Sequence, residues 1–96
     1  MRFVVVWPDG TKEDCYSPSL VIKDFLAEGQ TYALDDFMER SRAALNIGSE
    51  RVRAKYGRPC TLALGQLARL ELMAARFSGD RQAQVGCETF IFDLRG

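Results

Sequence analysis

The most constraining feature of this sequence is a pair of helical stripes in its middle. In the first stripe, residues on one helical face recur three or four positions apart: Phe37, Met38, Ser41, Leu45, Gly48, Val52 and Tyr56. In the second, steps of four and three alternate along Ala63, Leu67, Leu70, Ala74 and Phe77. The periods predict two long helices, from about Asp35 to Tyr56 and from about Cys60 to Phe77, packed side by side and antiparallel.

Strand-forming segments flank these helices. Arg2 to Trp7 is β-branched and aromatic, PDG is a turn sequence, and the polar TKEDCY returns as an edge strand. Ser17 is placed as the N-cap of a short helix that starts at Pro18 and ends before Gly29, and QTYA follows as an extended link. VGCETFIFDL, near the carboxyl end, should pair with the first strand. We predict one α+β domain over residues 1–96, a small antiparallel sheet with three helices on one face, in the order β-β-α-α-α-β.

The first strand is apolar on both faces, which this arrangement does not explain. Val4 and Val6 lie on one face, and Phe3, Val5 and Trp7 on the other. Helices on one side of the sheet cover only one of these sets. Either a homo-oligomer or partner contact covers the other set, or the turn residues or the loop around Tyr32 fold over it.

The composition excludes most common catalytic designs. The chain has no histidine, so it has no histidine-based triad, no Cys–His pair and no HExxH zinc helix. Three cysteines without a CxxC pair disfavour both a disulfide framework and a thiolate zinc site, and no glycine-rich phosphate loop is present. We therefore expect no cofactor. The apolar run at the amino end is far shorter than a signal or membrane segment, so we expect a cytoplasmic protein that does not bind membranes.

The hairpin contains the residues that most resemble a reactive site. Asp9 lies in the turn, and Glu13 and Asp14 point to opposite faces of a strand, so the carboxylates are better explained as structural than as an acid–base pair. Cys15 lies shortly before the first predicted helix, whose dipole could lower the pKa of its thiol, with Tyr16 as the neighbouring proton carrier. The competing interpretation makes Cys15 a small buried hydrophobic residue.

An arginine-rich stretch in the first long helix raises the question of nucleic acid. On a helical wheel, Arg40 and Arg51 lie on one flank of the apolar stripe and Arg42 and Arg53 on the other. Carboxylates stand at ion-pair spacing in Asp36–Arg40, Glu39–Arg42 and Glu50–Arg53. Lysine plus arginine and aspartate plus glutamate both number 13, so no overall charge favours a nucleic acid partner.

WPDGTKEDCYSPS and SERVRAKYGRPC, taken with the chain length, resemble the small nitrogen-starvation-response family of bacterial nitrilase gene clusters. The resemblance extends from about Phe3 to Phe92 and is strongest at Trp7, Pro8, Gly10, Cys15 to Ser19, Ser49 to Val52, Tyr56, Gly57 and Cys60. It implies a bacterial protein encoded beside a nitrilase, a radical-SAM protein, an acetyltransferase and a flavin-dependent monooxygenase. It implies no established reaction.

These observations favour a non-enzymatic accessory or binding protein. Its partner would be another protein of the gene cluster, a second copy of the chain or a small metabolite. The predicted contact residues combine an aromatic anchor with polar neighbours: Trp7, Asp9, Tyr16, Ser17, Ser19, Glu50, Arg53 and Tyr56. The alternatives are a small enzyme with Cys15 as nucleophile, assisted by Tyr16 or by the charge of Arg53, and a nucleic-acid-binding regulator.

Overall fold

The computed structural model describes residues 1–17, 20–58, 60–80 and 82–91. Within them an antiparallel sheet has the order β2-β1-β4-β3. Its strands are β1 (Arg2–Val6), β2 (Lys12–Tyr16), β3 (Gln30–Ala33) and β4 (Gln84–Ile91), and the helices are α1 (Ile22–Phe25), α2 (Leu34–Tyr56) and α3 (Thr61–Ala75). The predicted α+β fold is confirmed. Residues 92–94 of the predicted last strand lie outside the described residues.

The two long helices form as their periodic stripes predict. Phe37, Leu45 and Leu70 are fully buried in the core, because one face of each helix packs against its neighbour and the sheet. The carboxyl end of α2 is closed by Gly57, whose φ of 78° is the left-handed conformation of a C-terminal cap. Its amide donates to the Arg53 carbonyl at 2.7 Å. A side chain at Gly57 would therefore strain this cap.

The faces of β1 differ from what the sequence suggested. Phe3 and Trp7 point toward the helices and are 0% and 1% exposed, whereas Val4 and Val6 are half-buried on the outer face. The bulky set fills the core, so the set that the helices leave uncovered is Val4 and Val6 and not the aromatic one. Ion pairs lie on the outer face instead, between Arg2 and Asp14 at 2.6 Å and between Lys12 and Glu88 at 3.0 Å. This removes the physical reason for an oligomer through the aromatic face of β1.

The first helix is shorter and later than predicted. It begins at Ile22 after Val21, and no side-chain hydrogen bond caps it within the described residues. Ser17 is therefore not its N-cap. Ser17 is fully buried, and its amide donates to the Met1 carbonyl at 3.0 Å, which extends the end of the β1–β2 pairing. Pro18 lies outside the described residues.

The segment predicted as an extended link is a strand. In β3, Tyr32 pairs with Val85 of β4, and its hydroxyl accepts a hydrogen bond from the Ala27 amide at 2.9 Å. Arg40 of α2 lies over the Tyr32 ring at 4.9 Å and donates to the Phe25 carbonyl at 2.9 Å. Arg40 thus joins α1, β3 and α2.

Candidate functional site

A polar network joins the hairpin to α3. The Glu13 carboxylate accepts hydrogen bonds on both oxygens, from Trp7 Nε1 at 2.9 Å and from Gln66 Nε2 at 3.4 Å. The Gln66 amide oxygen accepts from the Tyr16 backbone N–H at 3.0 Å and from Arg69 at 2.9 Å. We call these residues, Trp7, Glu13, Tyr16, Gln66 and Arg69, the hairpin–α3 network.

The hydrogen bonding of this network is internal. Gln66 is only 1% exposed, and its amide nitrogen and oxygen both have protein partners, as a buried side-chain amide requires. Glu13 is half-buried and uses both oxygens in the same way. The geometry therefore fastens the edge strand β2 to α3. Sequence analysis missed Gln66, although its place between the inward-facing Ala63 and Leu70 was a usable signal.

Trp7 belongs to the core. Its ring stands edge-on to Phe37, with the centroids 5.8 Å apart, and stacks on Phe77 at 6.4 Å. With its indole N–H bonded to Glu13, the side chain has neither exposed area nor an unused donor. Trp7 is thus not accessible as the aromatic anchor of a contact surface.

Cys15 lies in an environment opposite to that of an activated thiol. Burial, followed by the nearby Glu13 and Asp14 carboxylates, raises the pKa of the Cys15 thiol far above its ordinary value. The helix meant to lower that pKa begins seven positions later and has one turn. Burial and then the neighbouring Cys60 also raise the pKa of Tyr16. Neither member of the predicted catalytic pair is tuned toward nucleophile or base at neutral pH.

Thiol alkylation should follow exposure. Cys60 is half-buried, whereas Cys15 and Cys87 are buried, and burial with the Glu28 carboxylate raises the pKa of Cys87 to about 11. We expect iodoacetamide at pH 8 to modify Cys60 at least about ten times faster than the other two, because the thiolate is the reacting form. Peptide mass spectrometry over a time course measures this. If Cys15 were modified fastest, the burial of its thiol in the core would be contradicted.

The remaining predicted hairpin residues do not gather at one place. Asp9 is exposed in the turn and accepts a hydrogen bond from the Thr11 amide at 3.0 Å. The hydrogen bonds from Thr11 lower the pKa of Asp9, so its carboxylate favours the fold at neutral pH and loses this contribution as the pH falls below 3.8. Tyr16 is at the far end of the hairpin, roughly 17 Å of strand away. Ser17 is buried, and Ser19 lies outside the described residues.

The last predicted group lies where α2 turns into α3. Glu50 and Arg53 form an exposed ion pair at 3.3 Å, and Tyr56 is 68% exposed. Leu62, in the first turn of α3, is 65% exposed. We call Arg53, Tyr56 and Leu62 the α2–α3 corner. Beside this corner, the Cys60 amide donates to the Ser49 hydroxyl of α2 at 3.2 Å.

The basic residues of α2 are mostly engaged within the chain. The predicted pairs Asp36–Arg40 and Glu50–Arg53 form at 3.0 and 3.3 Å. Arg42 was predicted to pair with Glu39 and instead pairs with Glu71 of α3 at 2.7 Å. These arginine side chains therefore lie along the edges of the buried face of α2, where they form ion pairs within the chain.

Surface hollows lie beside the long helices and beside the hairpin turn, and Trp7 and Glu50 are among the residues that line them. One, of about 500 Å³, lies between the start of α2 and the end of α3 and contains Arg42 and Glu71. Another, of about 710 Å³, lies beside the hairpin turn around Val6, Thr31 and Gly86. Among the described residues, no three histidine, cysteine, aspartate or glutamate side chains cluster as a metal site. The described helices include none that is long and apolar enough to cross a membrane.

Comparison with protein families identifies a match over most of the chain. The family model described as "Nitrogen starvation-induced protein NitG" matches residues 2–90, which covers every described residue except Met1 and Ile91, the last residue of β4. Comparison with curated proteins and with solved structures finds no match. The resemblance noted in the hairpin and in the α2–α3 segment is thereby confirmed, and the chain belongs to the family of nitrogen starvation-induced NitG proteins.

Proposed function

We propose that this chain is a cytoplasmic, non-enzymatic accessory protein of the nitrogen-starvation response that binds a protein encoded in the same gene cluster. One contrast supports the proposal. The polar groups of Trp7, Glu13 and Tyr16 in the hairpin bond to one another or to Gln66 of α3. By contrast, Tyr56 and Leu62 at the α2–α3 corner are more than half exposed. The polar groups of the hairpin thus form hydrogen bonds within the chain, and the exposed apolar side chains at the α2–α3 corner are left for contact with a partner.

The α2–α3 corner has the composition that protein contacts favour. Tyrosine and arginine are enriched where binding energy concentrates, and a charged rim surrounds the apolar centre. Tyr56 supplies the aromatic group, Leu62 adds apolar area, and the Glu50–Arg53 pair supplies the rim. Tyr56 takes over the role that the sequence suggested for Trp7.

Affinity capture from nitrogen-starved cells tests the proposal. The wild-type chain is compared with Tyr56→Ser and with a control, Ile47→Ser. Ile47 is also an exposed apolar residue of α2, but it lies nine positions earlier and on the opposite side of the helix from Tyr56. We expect the wild type and the control to retain a protein encoded beside the chain. Tyr56→Ser should bind it about thirtyfold more weakly, as truncation of a central tyrosine anchor does.

Two outcomes would contradict the proposal. One is that the wild-type chain retains none of the proteins encoded beside it. The other is that Tyr56→Ser retains such a protein as well as Ile47→Ser does. Circular dichroism of all three chains is the check that they are folded. Because both altered side chains are exposed, their stabilities should differ from the wild type by less than about 0.5 kcal/mol.

A further inference from the structure

Helix α3 has two seams of the heptad type. The inward seam alternates steps of four and three along Ala63, Leu67, Leu70, Ala74 and Phe77, and these residues are buried or half-buried. A second seam with the same alternation runs along the opposite side of the helix: Thr61, Gly65, Ala68, Leu72 and Ala75. Such a pattern is the signature of a helix that packs on another helix. The inward seam packs on α2 and the sheet. The outward seam lies on the far side of α3, and only at its end does it approach α2, where Ala75 lines the hollow between the two helices.

The outward seam is uncharged and, apart from the half-buried Gly65, exposed. On a helical wheel, Leu64 and Gly65 mark the two ends of an arc of about 100° that contains the outward seam. No charged residue of α3 falls within this arc. Leu72 is 72% exposed and Leu64 41% exposed. The opposite long helix, α2, follows the usual rule, since its exposed positions include Asp35, Glu39 and Glu50. The apolar outer side of α3 is therefore a particular property of that helix.

Small residues in the outward seam permit close approach of another helix. Gly65, Ala68 and Ala75 project little beyond the backbone, and Leu72 stands among them as a knob. A Cβ atom at Gly65 would meet only the Arg69 guanidinium, at 4.0 Å. The Arg69 side chain therefore lies beside this half-buried position.

The charges at the two margins of the arc have opposite signs. Glu71 lies on one margin, and Arg69 and Arg76 lie on the other. When two copies of such a helix pack in parallel, Glu71 of each copy faces residue 76 of the other, the i to i+5 pairing of parallel coiled coils. Antiparallel packing would place each margin against the same margin of the other copy, which would bring like charges together. Because the chain has no net charge, two copies do not repel each other overall.

We infer that the outward seam of α3 is a self-association surface and that it takes the α3 helix of a second copy in parallel, about a two-fold axis along the helices. The contact is short, because 15 residues of helix extend about 22 Å. It buries less than the roughly 800 Å² per copy of a standard interface. The dimer should therefore be weak and reversible, with a dissociation constant on the order of tens of micromolar.

Sedimentation equilibrium from about 5 to 300 μM tests the surface. The wild type should shift from monomer to dimer over this range. Leu72→Glu should weaken association at least tenfold, because it places a carboxylate in the seam of both copies. Ile47→Glu adds the same charge at an exposed apolar position of α2 and should change association less than twofold. A monomeric wild type throughout, or a dimer that Leu72→Glu leaves intact, would overturn the inference.

Charge reversal tests the parallel arrangement. Glu71→Arg and Arg76→Glu should each weaken the dimer about threefold or more, because each substitution creates two like-charged pairs. The double variant restores opposite charges across the interface and should return to within about twofold of the wild type. If the double variant is weaker than both single variants, the parallel arrangement is wrong. Thermal unfolding of the dilute monomers controls for loss of the exposed Arg42–Glu71 ion pair, which contributes little to stability.

Discussion

Replacing Trp7 with alanine is expected to lower the free energy of unfolding by about 3–5 kcal/mol. Trp7 is fully enclosed between Phe37 and Phe77, and its indole N–H donates to Glu13. The substitution loses the transfer free energy of the ring, leaves a cavity and removes a partner of a half-buried carboxylate. A domain of this size has a total stability of roughly 5–15 kcal/mol, so much of it would be lost.

Urea unfolding followed by far-ultraviolet circular dichroism measures this effect; since Trp7 is the single tryptophan, fluorescence would not follow the variant. Trp7→Phe keeps most of the apolar volume and should lose markedly less stability. Tyr56→Ala removes an aromatic ring that is 68% exposed and should change stability by less than about 0.5 kcal/mol. A loss below about 1 kcal/mol for Trp7→Ala would show that Trp7 is not the core residue described above.

Gln66→Leu should lower the free energy of unfolding by about 2–3 kcal/mol, even though leucine has nearly the same volume. The side-chain amide of Gln66 satisfies the Tyr16 backbone N–H, the Arg69 guanidinium and one oxygen of Glu13. Leucine would leave these groups without that partner at a site where Gln66 itself is 1% exposed. The penalty arises from unsatisfied polar groups and not from lost packing.

Amide hydrogen exchange provides the specific measurement for Gln66→Leu. The Tyr16 amide should exchange faster in the variant than its loss of global stability explains, because β2 is an edge strand and loses its bond to α3. Gln82→Leu, at an exposed position, is the matched control and should leave both stability and Tyr16 exchange nearly unchanged. Unchanged protection of the Tyr16 amide in Gln66→Leu would refute the structural role of the network.

The long helices, the hairpin and the α+β class were predictable because local patterns determine them. The alternating stripes of α2 and α3 and the left-handed cap at Gly57 depend on residues close together in sequence. Strand β3 was missed because its four residues carry no clear alternation and the strand forms by pairing with β4. The faces of β1 alternate visibly in sequence. Which face the helices cover depends on how the whole core packs, and here the larger side chains of Phe3 and Trp7 are covered.

The candidate site was less predictable, because its contacts are long-range. Gln66 lies 50 positions from Tyr16 and 53 from Glu13, and no local pattern links them. The expected activation of Cys15 assumed a helix starting just after it, but Ser17 instead continues the pairing with Met1 and α1 starts at Ile22. Trp7 was chosen for its residue type, although burial decides whether an aromatic ring is an anchor or a core residue.

Complementation under nitrogen limitation tests most directly whether this chain binds a partner or performs chemistry. A strain lacking the gene would receive the wild type, a variant carrying Cys15→Ala and Cys60→Ala, or Tyr56→Ser, with the level of folded protein checked in each case. The account predicts that the double cysteine variant grows as the wild type does and that Tyr56→Ser does not. Growth with Tyr56→Ser, together with failure of a folded double cysteine variant, would contradict it and assign the function to a thiol.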